Sequence, residues 1–322
     1  MHIHILKAVA VLLACITIGS NFGKLHFVLD TLSHFRVQYA ALFLLVGLLF
    51  SIFRQAAWLA LSVIGMVANL ASIVPWYLEK NEWLSADSGH SFKILASNVY
   101  LHSKNYESLA KLVDEEQPEI LGLFEVDSNW IVALASLRNE YKFRFVYPQD
   151  DHQGIALFSK LPITESNVVW FGESATPAIV ASIKAGNEVF ELILAHPPPP
   201  MSAGLAATRN TQLQEIARYV RASDKAIVLA GDLNTTMWSP YYNEFVEASG
   251  LINARTGYGI GATWVTRSPF GIPIDHIMVS SPSRVGDFRV HKRIGSDHRP
   301  ISAHIRIVPQ NECEMSGAAL AH

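Results

Sequence analysis

Ile294-Gly295-Ser296-Asp297-His298-Arg299-Pro300 stands directly before the apolar run Ile301 to Val308. An Asp-His pair is set there between a glycine and a proline, at the mouth of a segment that reads as a β-strand. Two other stretches are built the same way. Ala230-Gly231-Asp232-Leu233-Asn234 follows the apolar run Ala226 to Leu229, and Ile274-Asp275-His276-Ile277 opens another. Each puts a carboxylate, an amide or an imidazole at the end of a β-like segment, where a sheet fixes the group and a loop admits substrate.

Outward from these stretches, everything from Phe92 onward has an α/β rhythm. Strands are expected at Phe92 to Ser97, Ile120 to Phe124, Phe143 to Tyr147, Ile155 to Ser159, Ala178 to Ile183, Val189 to Ala195, Ala226 to Leu229, Ile274 to Val279, Val285 to Val290 and Ile301 to Ile307. Apolar residues at helical spacing predict helices over Tyr106 to Glu116, Trp130 to Leu137 and Thr208 to Arg221. Many short strands with few helices suggest two sheets packed face to face, with helices outside. Three more polar residues close strands: Asn98, Glu125 and His196. Any one of these residues alone reads as a turn residue or helix cap. As a set they offer carboxylates for a hard cation, amides for oxygen ligands and imidazoles for proton transfer.

The first 78 residues are of another kind. The chain has 322 residues, half of them hydrophobic and only 16% charged, which is too apolar for an ordinary soluble enzyme. The excess is concentrated in the runs Ala8 to Gly19, Val37 to Phe53 and Ala56 to Leu78. The last two approach the roughly 20 residues that a membrane span needs. Arg54-Gln55 reads as a hairpin between antiparallel spans, and Trp76, Tyr77 and Trp83 as an interfacial aromatic belt. Leu12-Leu13-Ala14-Cys15 resembles a lipoprotein cleavage box, but no extended hydrophilic segment follows it. Clustering of all three runs before Glu79 argues against buried helices of a soluble domain. The organisation expected is a three-helix transmembrane anchor (1–78), a polar linker (79–91), a catalytic domain (92–308) and a disordered tail (309–322). Cys15 and Cys313, the only cysteines, have neither disulfide-framework nor metal-ligand spacing. The net charge of −3 leaves no overall basic excess for gripping nucleic acid.

Ser97-Asn98, Leu123-Phe124-Glu125, Leu194-Ala195-His196, Gly231-Asp232-Leu233-Asn234, Ile274-Asp275-His276 and Gly295-Ser296-Asp297-His298-Arg299-Pro300 occur in an order that resembles the endonuclease/exonuclease/phosphatase superfamily. That superfamily includes abasic-site endonucleases, DNase I-like nucleases, neutral sphingomyelinases and inositol-polyphosphate 5-phosphatases. The resemblance runs from about Phe92 to Ile307. It implies a four-layered α/β sandwich of the DNase I type behind the helical anchor, and hydrolysis of a phosphate ester with Mg²⁺, or Mn²⁺ as the alternative. It also implies roles. Glu125 is the main metal ligand with Asn98 beside it, and Asp297 supports the metal or the phosphate. His298, paired with Asp275, takes a proton from the attacking water or orients it. Asp232 positions that water, Asn234 holds the phosphate, and His196 stabilises the non-bridging oxygens. Tyr100 stands where some nucleases of the superfamily carry an acidic residue, so a second metal carboxylate is not implied.

Other residues read more plainly. His276 is expected to be structural, His152 a solvated loop residue and Trp264 a packing residue, with Trp238 a candidate for the pocket wall. Arg209 reads equally as a phosphate contact and as a solvated helix-face arginine. The function expected is a membrane-anchored phosphodiesterase. Its substrate would be a lipid head group, a small phosphodiester or nucleic acid, and its partner the lipid bilayer, with no protein partner. The alternatives are a nuclease and an inactive membrane-tethered binding module. Basic residues flank both ends of the spans and do not fix orientation. Resemblance to membrane-anchored bacterial members of the superfamily places the protein in the cytoplasmic membrane as a multi-pass chain, with its catalytic domain extracytoplasmic.

Overall fold

The computed structural model describes residues 2–78, 89–173, 176–265, 269–281 and 283–308. The expected tail, with Cys313, and residues 79–88 of the expected linker lie outside the described residues. The chain begins with helices α1 (His2–Gly19), α2 (Phe27–Ser33), α3 (Arg36–Ile52), α4 (Ala56–Ile73) and α5 (Pro75–Leu78). Ile3–Phe22 and Ala56–Ile73 are long and apolar enough to cross a membrane, and α2 with α3 makes a third if their 68° bend is counted within one broken span. The run Ala56 to Leu78 is therefore not one continuous helix. Pro75 supplies no N–H to continue the ladder, so α4 stops and the short α5 begins there.

These helices enclose a small core of Ala10, Leu13, Phe43 and Phe50. Leu44, Leu45, Leu48, Ile64 and Val67 point outward and are exposed. Helices apolar on both faces suit lipid surroundings better than water. Close packing inside needs small residues. At Gly65 a Cβ would lie 2.4 Å from the Phe43 ring.

The remainder is a sandwich. In chain order it comprises β1 (His90–Asn98), α6 (Tyr106–Glu116), β2 (Ile120–Phe124), α7 (Ser128–Ala133), β3 (Phe143–Tyr147), β4 (Ile155–Ser159), β5 (Ile163–Val169), β6 (Ala178–Ala185), β7 (Glu188–Ala195), α8 (Ala203–Ala222), β8 (Ala226–Asp232), α9 (Pro240–Ser249), β9 (Ile252–Asn253), β10 (Asp275–Val279), β11 (Arg284–Val290) and β12 (Ile301–Ile307). One six-stranded sheet has the order β11-β12-β1-β2-β4-β3 and the other β5-β6-β7-β8-β10-β9. Alternation along the strands builds the layers. Phe92, Ile94 and Ala96 of β1 join Val228 and Ala230 of β8 in the core between the sheets. Leu95 of β1 and Leu121 and Leu123 of β2 face the other way, onto Leu109 and Val113 of α6 and Trp130 of α7. Ile227 and Leu229 of β8 pack on Leu213 and Ile216 of α8 and Phe245 of α9. The result is helices, sheet, sheet, helices, the expected DNase I-like α/β sandwich.

Strands β5 and β9 and helices α2 and α9 were not foreseen, and the foreseen α8 begins earlier than expected. Strand β5 is an edge strand whose segment, Ile163–Val169, shows little apolar alternation. Helix α8 starts at Ala203, not Thr208, because the Ser202 side chain caps it by accepting from the Leu205 N–H. Helix α9 has its own signals: a Ser239 cap, Pro240 in the first turn and Gly250 at the left-handed stop.

The helical module is seated on the sandwich. Ala40 and Ile73 join the apolar cluster beneath α8 and α9. The Trp76 carbonyl accepts from the Gly257 and Gly259 N–H groups. The Gln38 amide donates to the carbonyls of Pro269 and Gly271, and Trp238 donates Nε1–H to the carbonyl of Ser72.

Candidate active site

The chemistry-bearing residues collect at one edge of the sandwich because of how the sheets are wound. Strands β1 and β2 run parallel, with Asn98 opposite Phe124, so Asn98 and Glu125 leave the first sheet together. Strands β7 and β8 are also parallel, with Leu194 opposite Ala230. Two residues on, His196 and Asp232 are level with each other in the second sheet. Strand β10 returns antiparallel and puts Asp275 opposite Asp232, on the same face. His298 arrives from the segment before β12, held by a bridge to Trp264.

Local backbone is bent to serve this edge. A Cβ at Gly231 would lie 1.9 Å from the Ala195 carbonyl oxygen, so only glycine lets β8 approach β7 just before Asp232. Glu125 (φ 61), Asn234 (φ 50) and Tyr100 (φ 62) all sit in the left-handed region. Each costs about 1–3 kcal/mol, a cost typical of functional sites.

One carboxylate oxygen organises the cluster. Asp232 Oδ2 lies 3.2 Å from Asn98 Nδ2, 3.3 Å from His196 Nε2 and 3.5 Å from His298 Nε2. Its other oxygen accepts from the Asn234 N–H at 3.0 Å. Behind His298, Asp275 Oδ2 faces Nδ1 at 2.9 Å. Asn98 Nδ2 also donates to Glu125 Oε1 at 2.8 Å, while Asn98 Oδ1 accepts from the Tyr100 N–H at 3.0 Å. The amide thus turns its nitrogen, not its oxygen, to the carboxylates. Glu125 Oε2 accepts from the Leu101 N–H and faces His152 Nδ1 at 2.7 Å. Asp297 Oδ2 accepts from Trp264 Nε1 at 3.1 Å. Asn234 gives Nδ2–H to the Pro197 carbonyl. Single ligand atoms of Asp232, Asp275 and His298 lie within 4.8 Å of one another, close enough to hold a metal ion.

Charge follows from these contacts. Burial opposes a charge on His298, yet Asp275 and Asp232 outweigh it and push its pKa up to about 10. His196 has Nδ1 3.1 Å from the His152 carbonyl, which can only accept, so Nδ1 carries a hydrogen. Burial opposes its charge too, but Asp232 and Glu125 hold it above the ordinary value. Burial likewise works against Asp232, and His298 and His196 bring it down to about 2. Glu125 is lowered despite burial by His196, Asn98, His152 and Leu101. Asp275 moves the other way, raised by burial with Asp232 adding to it against the pull of His298.

Several residues stand where the sequence did not place them. Arg209 is neither a phosphate contact nor a solvated arginine, but is fully buried and paired with Asp30. His152 is more than a solvated loop histidine, since it touches Glu125 while its side chain is 58% exposed. Trp264 reaches Asp297, whereas Trp238 is buried against the N-terminal helices and lines no part of this edge. His276 is structural as expected. Its Nε2 donates to the Thr235 carbonyl and its Nδ1 accepts from Asn253, with its pKa lowered to about 3 by burial and by Arg255. His102, T-shaped to both Tyr100 and His152, completes an aromatic rim. Beside it opens a cleft of about 280 Å³ bordered by Leu101, Lys104 and Asp127. Another cleft, of about 470 Å³, lies away from this edge, around Glu188, Arg221 and Lys225.

A two-sheet α/β sandwich with carboxylates, amides and imidazoles gathered at its strand ends defines a DNase I-like hydrolase. The chain belongs to the Endonuclease/Exonuclease/phosphatase family, whose model matches residues 95–298. By class it is a metal-dependent hydrolase of phosphoric esters, and its family uses divalent cations. Among solved structures, TDP2 from D. rerio complexed with single strand DNA product matches with a TM-score of 0.57 at 16% identity, over 67% of this chain and 99% of that one. Truncated Caenorhabditis elegans TDP2 matches with a TM-score of 0.57 at 19% identity, over 67% and 98%. An endonuclease/exonuclease/phosphatase from Bacteroides vulgatus matches with a TM-score of 0.56 at 19% identity, also over 67% and 98%. No curated protein matches the sequence.

Proposed function

We propose that the chain is a membrane-anchored, Mg²⁺-dependent phosphodiesterase that drives water at phosphorus with the His298–Asp275 pair. The observation that carries this reading is the convergence of Asn98, His196 and His298 on one Asp232 oxygen, with Glu125 one amide away.

The donor set fits a hard divalent cation. Mg²⁺ keeps several waters and needs only one or two protein carboxylates. Glu125 and Asp232 share the Asn98 amide as a common clamp. Asp232, Asp275 and His298 form the tighter group, but Asp275 and His298 Nδ1 are already engaged with each other. In this reading Glu125 is the main ligand, as the family resemblance implies. Asn98 holds the carboxylates in place, and Asp297, fixed by Trp264, supports the metal or the phosphate. When bound, the cation neutralises charge on the non-bridging phosphate oxygens, the main requirement of phosphoryl transfer.

Asp275 keeps Nδ1–H of His298 in place, leaving Nε2 to meet the attacking water with Asp232 beside it. The proton that His298 holds is favoured by surplus carboxylates. Offsetting that surplus frees Nε2 to act as a base. His196 donates Nε2–H toward the non-bridging oxygens, and Asn234 holds the phosphate. Anchoring and the absence of a basic excess favour a lipid head group or a small phosphodiester presented at the bilayer. Nucleic acid is the second reading, favoured by the single strand DNA product in the D. rerio neighbour.

The test is hydrolysis of bis-p-nitrophenyl phosphate by the full-length protein in detergent. Mg²⁺-dependent turnover that EDTA abolishes, and that Asp232→Ala and His298→Ala lose, supports the reading. Turnover unchanged by all three refutes it. A parallel screen of plasmid DNA, RNA, sphingomyelin and phosphoinositides separates the substrate classes.

A further inference from the structure

Asp30 lies on α2 of the helical module and is completely buried against the sandwich. Its Oδ2 accepts from Arg209 Nη2 at 2.5 Å, and its Oδ1 accepts from Ser239 Oγ at 2.6 Å. Arg209, on α8, is equally buried. Its other terminal nitrogen, Nη1, donates to the carbonyl of Asn234 at 3.0 Å. Asn234 is two residues beyond Asp232, has left-handed backbone and gives its own N–H to Asp232 Oδ1. The guanidinium fork thus spans two modules, with one prong on the N-terminal helices and the other on the strained turn that carries Asp232 and Asn234. A second tie reaches the same segment, since His34 Nδ1 lies 2.9 Å from Thr236 Oγ1.

A structural ion pair needs only charge balance. This one has a further geometric demand: the rigid planar fork holds the Asp30 carboxylate, the Asn210 side-chain oxygen and the Asn234 carbonyl in set directions, which a lysine ammonium does not fix. A guanidinium without Asp30 would be an uncompensated buried charge and would lose its bond to the helical module. We propose that Asp30 is a positioning residue for the phosphate-holding turn. Through Arg209 it fixes the Asn234 carbonyl, so the N-terminal helices complete the active site as well as tethering it. This inference rests on the phosphodiesterase reading for the role of Asn234, but the contact chain stands apart from it. A soluble fragment begun after the helices would lose Asp30, His34, Gln38, Ser72 and Trp76 together, so the full chain is the proper object of study.

The experiment uses full-length protein in detergent carrying Arg209→Lys or the charge-free pair Asp30→Leu/Arg209→Met. Both variants leave no unpaired charge at the seam, and thermal unfolding verifies that each is folded. Two quantities are read: kcat and KM on bis-p-nitrophenyl phosphate with Mg²⁺, and hydrogen exchange of the backbone amides of residues 233–239. The expected result is a kcat lower by roughly 10- to 100-fold, the range for a misplaced catalytic geometry, with KM moved by less than about 3-fold. Exchange across 233–239 is expected to quicken while the other strand ends stay protected. Wild-type kcat in folded variants would overturn the inference, as would unchanged exchange in that segment. Exchange needs no substrate. If the wild-type protein hydrolyses no diester, the function reading fails, and exchange alone decides the fate of the positioning role.

Discussion

Two buried polar clusters meet at Asn234, and they are built on opposite principles. At the seam between helices and sandwich, one carboxylate, Asp30, faces one guanidinium, Arg209, both fully buried. At the strand ends, the four carboxylates of Glu125, Asp232, Asp275 and Asp297 stand with three imidazoles, His152, His196 and His298, among their contacts. The seam is balanced and closed, as a buried ion pair must be to survive desolvation. The strand-end cluster carries surplus negative charge beside a cleft, and that surplus is the signature of a place prepared for a cation and a phosphate.

If the contrast is right, substitutions in the two clusters fail in different ways. The largest effect belongs to the strand ends. Asp232→Ala or His298→Ala should lower kcat on a diester by at least about 10³-fold, and circular dichroism should show a folded protein in each case. Next in size is the seam. Arg209→Met alone strands the Asp30 carboxylate and should cost about 3–5 kcal/mol by denaturant unfolding. Removing Asp30 as well should recover most of that stability. Equal losses in the single and double variants would break the comparison.

A third effect concerns His276, buried between the clusters on Thr235. Its folded pKa of about 3 lies below the ordinary histidine value of 6.5. Between those values the unfolded chain binds the extra proton, so stability rises with pH. It is complete above about 6.5 and is lost as pH falls toward 3, at up to about 1.4 kcal/mol per pH unit. Chemical denaturation of His276→Gln across that window should show a shallower slope than wild type. Smaller still, Trp264→Phe removes the N–H that holds Asp297 and should cut kcat by about 3- to 10-fold, within what one hydrogen bond supplies, without moving the melting temperature. The smallest effect is at the exposed Lys24–Glu244 pair, where Lys24→Ala should change stability by less than about 1 kcal/mol.

The site was largely legible in the chain because its residues end strands, and strands announce themselves by alternation. Glu125, Asp232 and His298 could each be placed after or before an apolar run and Asp275 inside one, and the winding of the sheets brings them to one edge. What escaped notice lacks a local pattern. Asp30 sits in Phe27-Val28-Leu29-Asp30 with a partner 179 residues away, and no periodicity marks such a pair. Arg209 lies at a position where a helix arginine is ordinarily solvated. His152 approaches Glu125 from a loop, and loops carry no period. Strand β5 has an edge position with partly exposed residues on both faces, which removes the alternation that betrays a strand. Helix α9 differs, since its Ser239-Pro240 start and Gly250 stop are local signals present in the chain.

The surplus negative charge must receive its cation at Glu125 and Asp232 for His298 to stay free as a base. Titration of Mn²⁺ into the full-length protein in detergent, followed by electron paramagnetic resonance, addresses this without any substrate. The account predicts saturable binding that weakens by at least about 10-fold in Glu125→Gln and Asp232→Asn, within the range for altered metal surroundings, and that survives in His298→Asn. Binding untouched by Glu125→Gln but abolished by His298→Asn would put the cation in the Asp232–Asp275–His298 group, leaving His298 unable to take a proton from water.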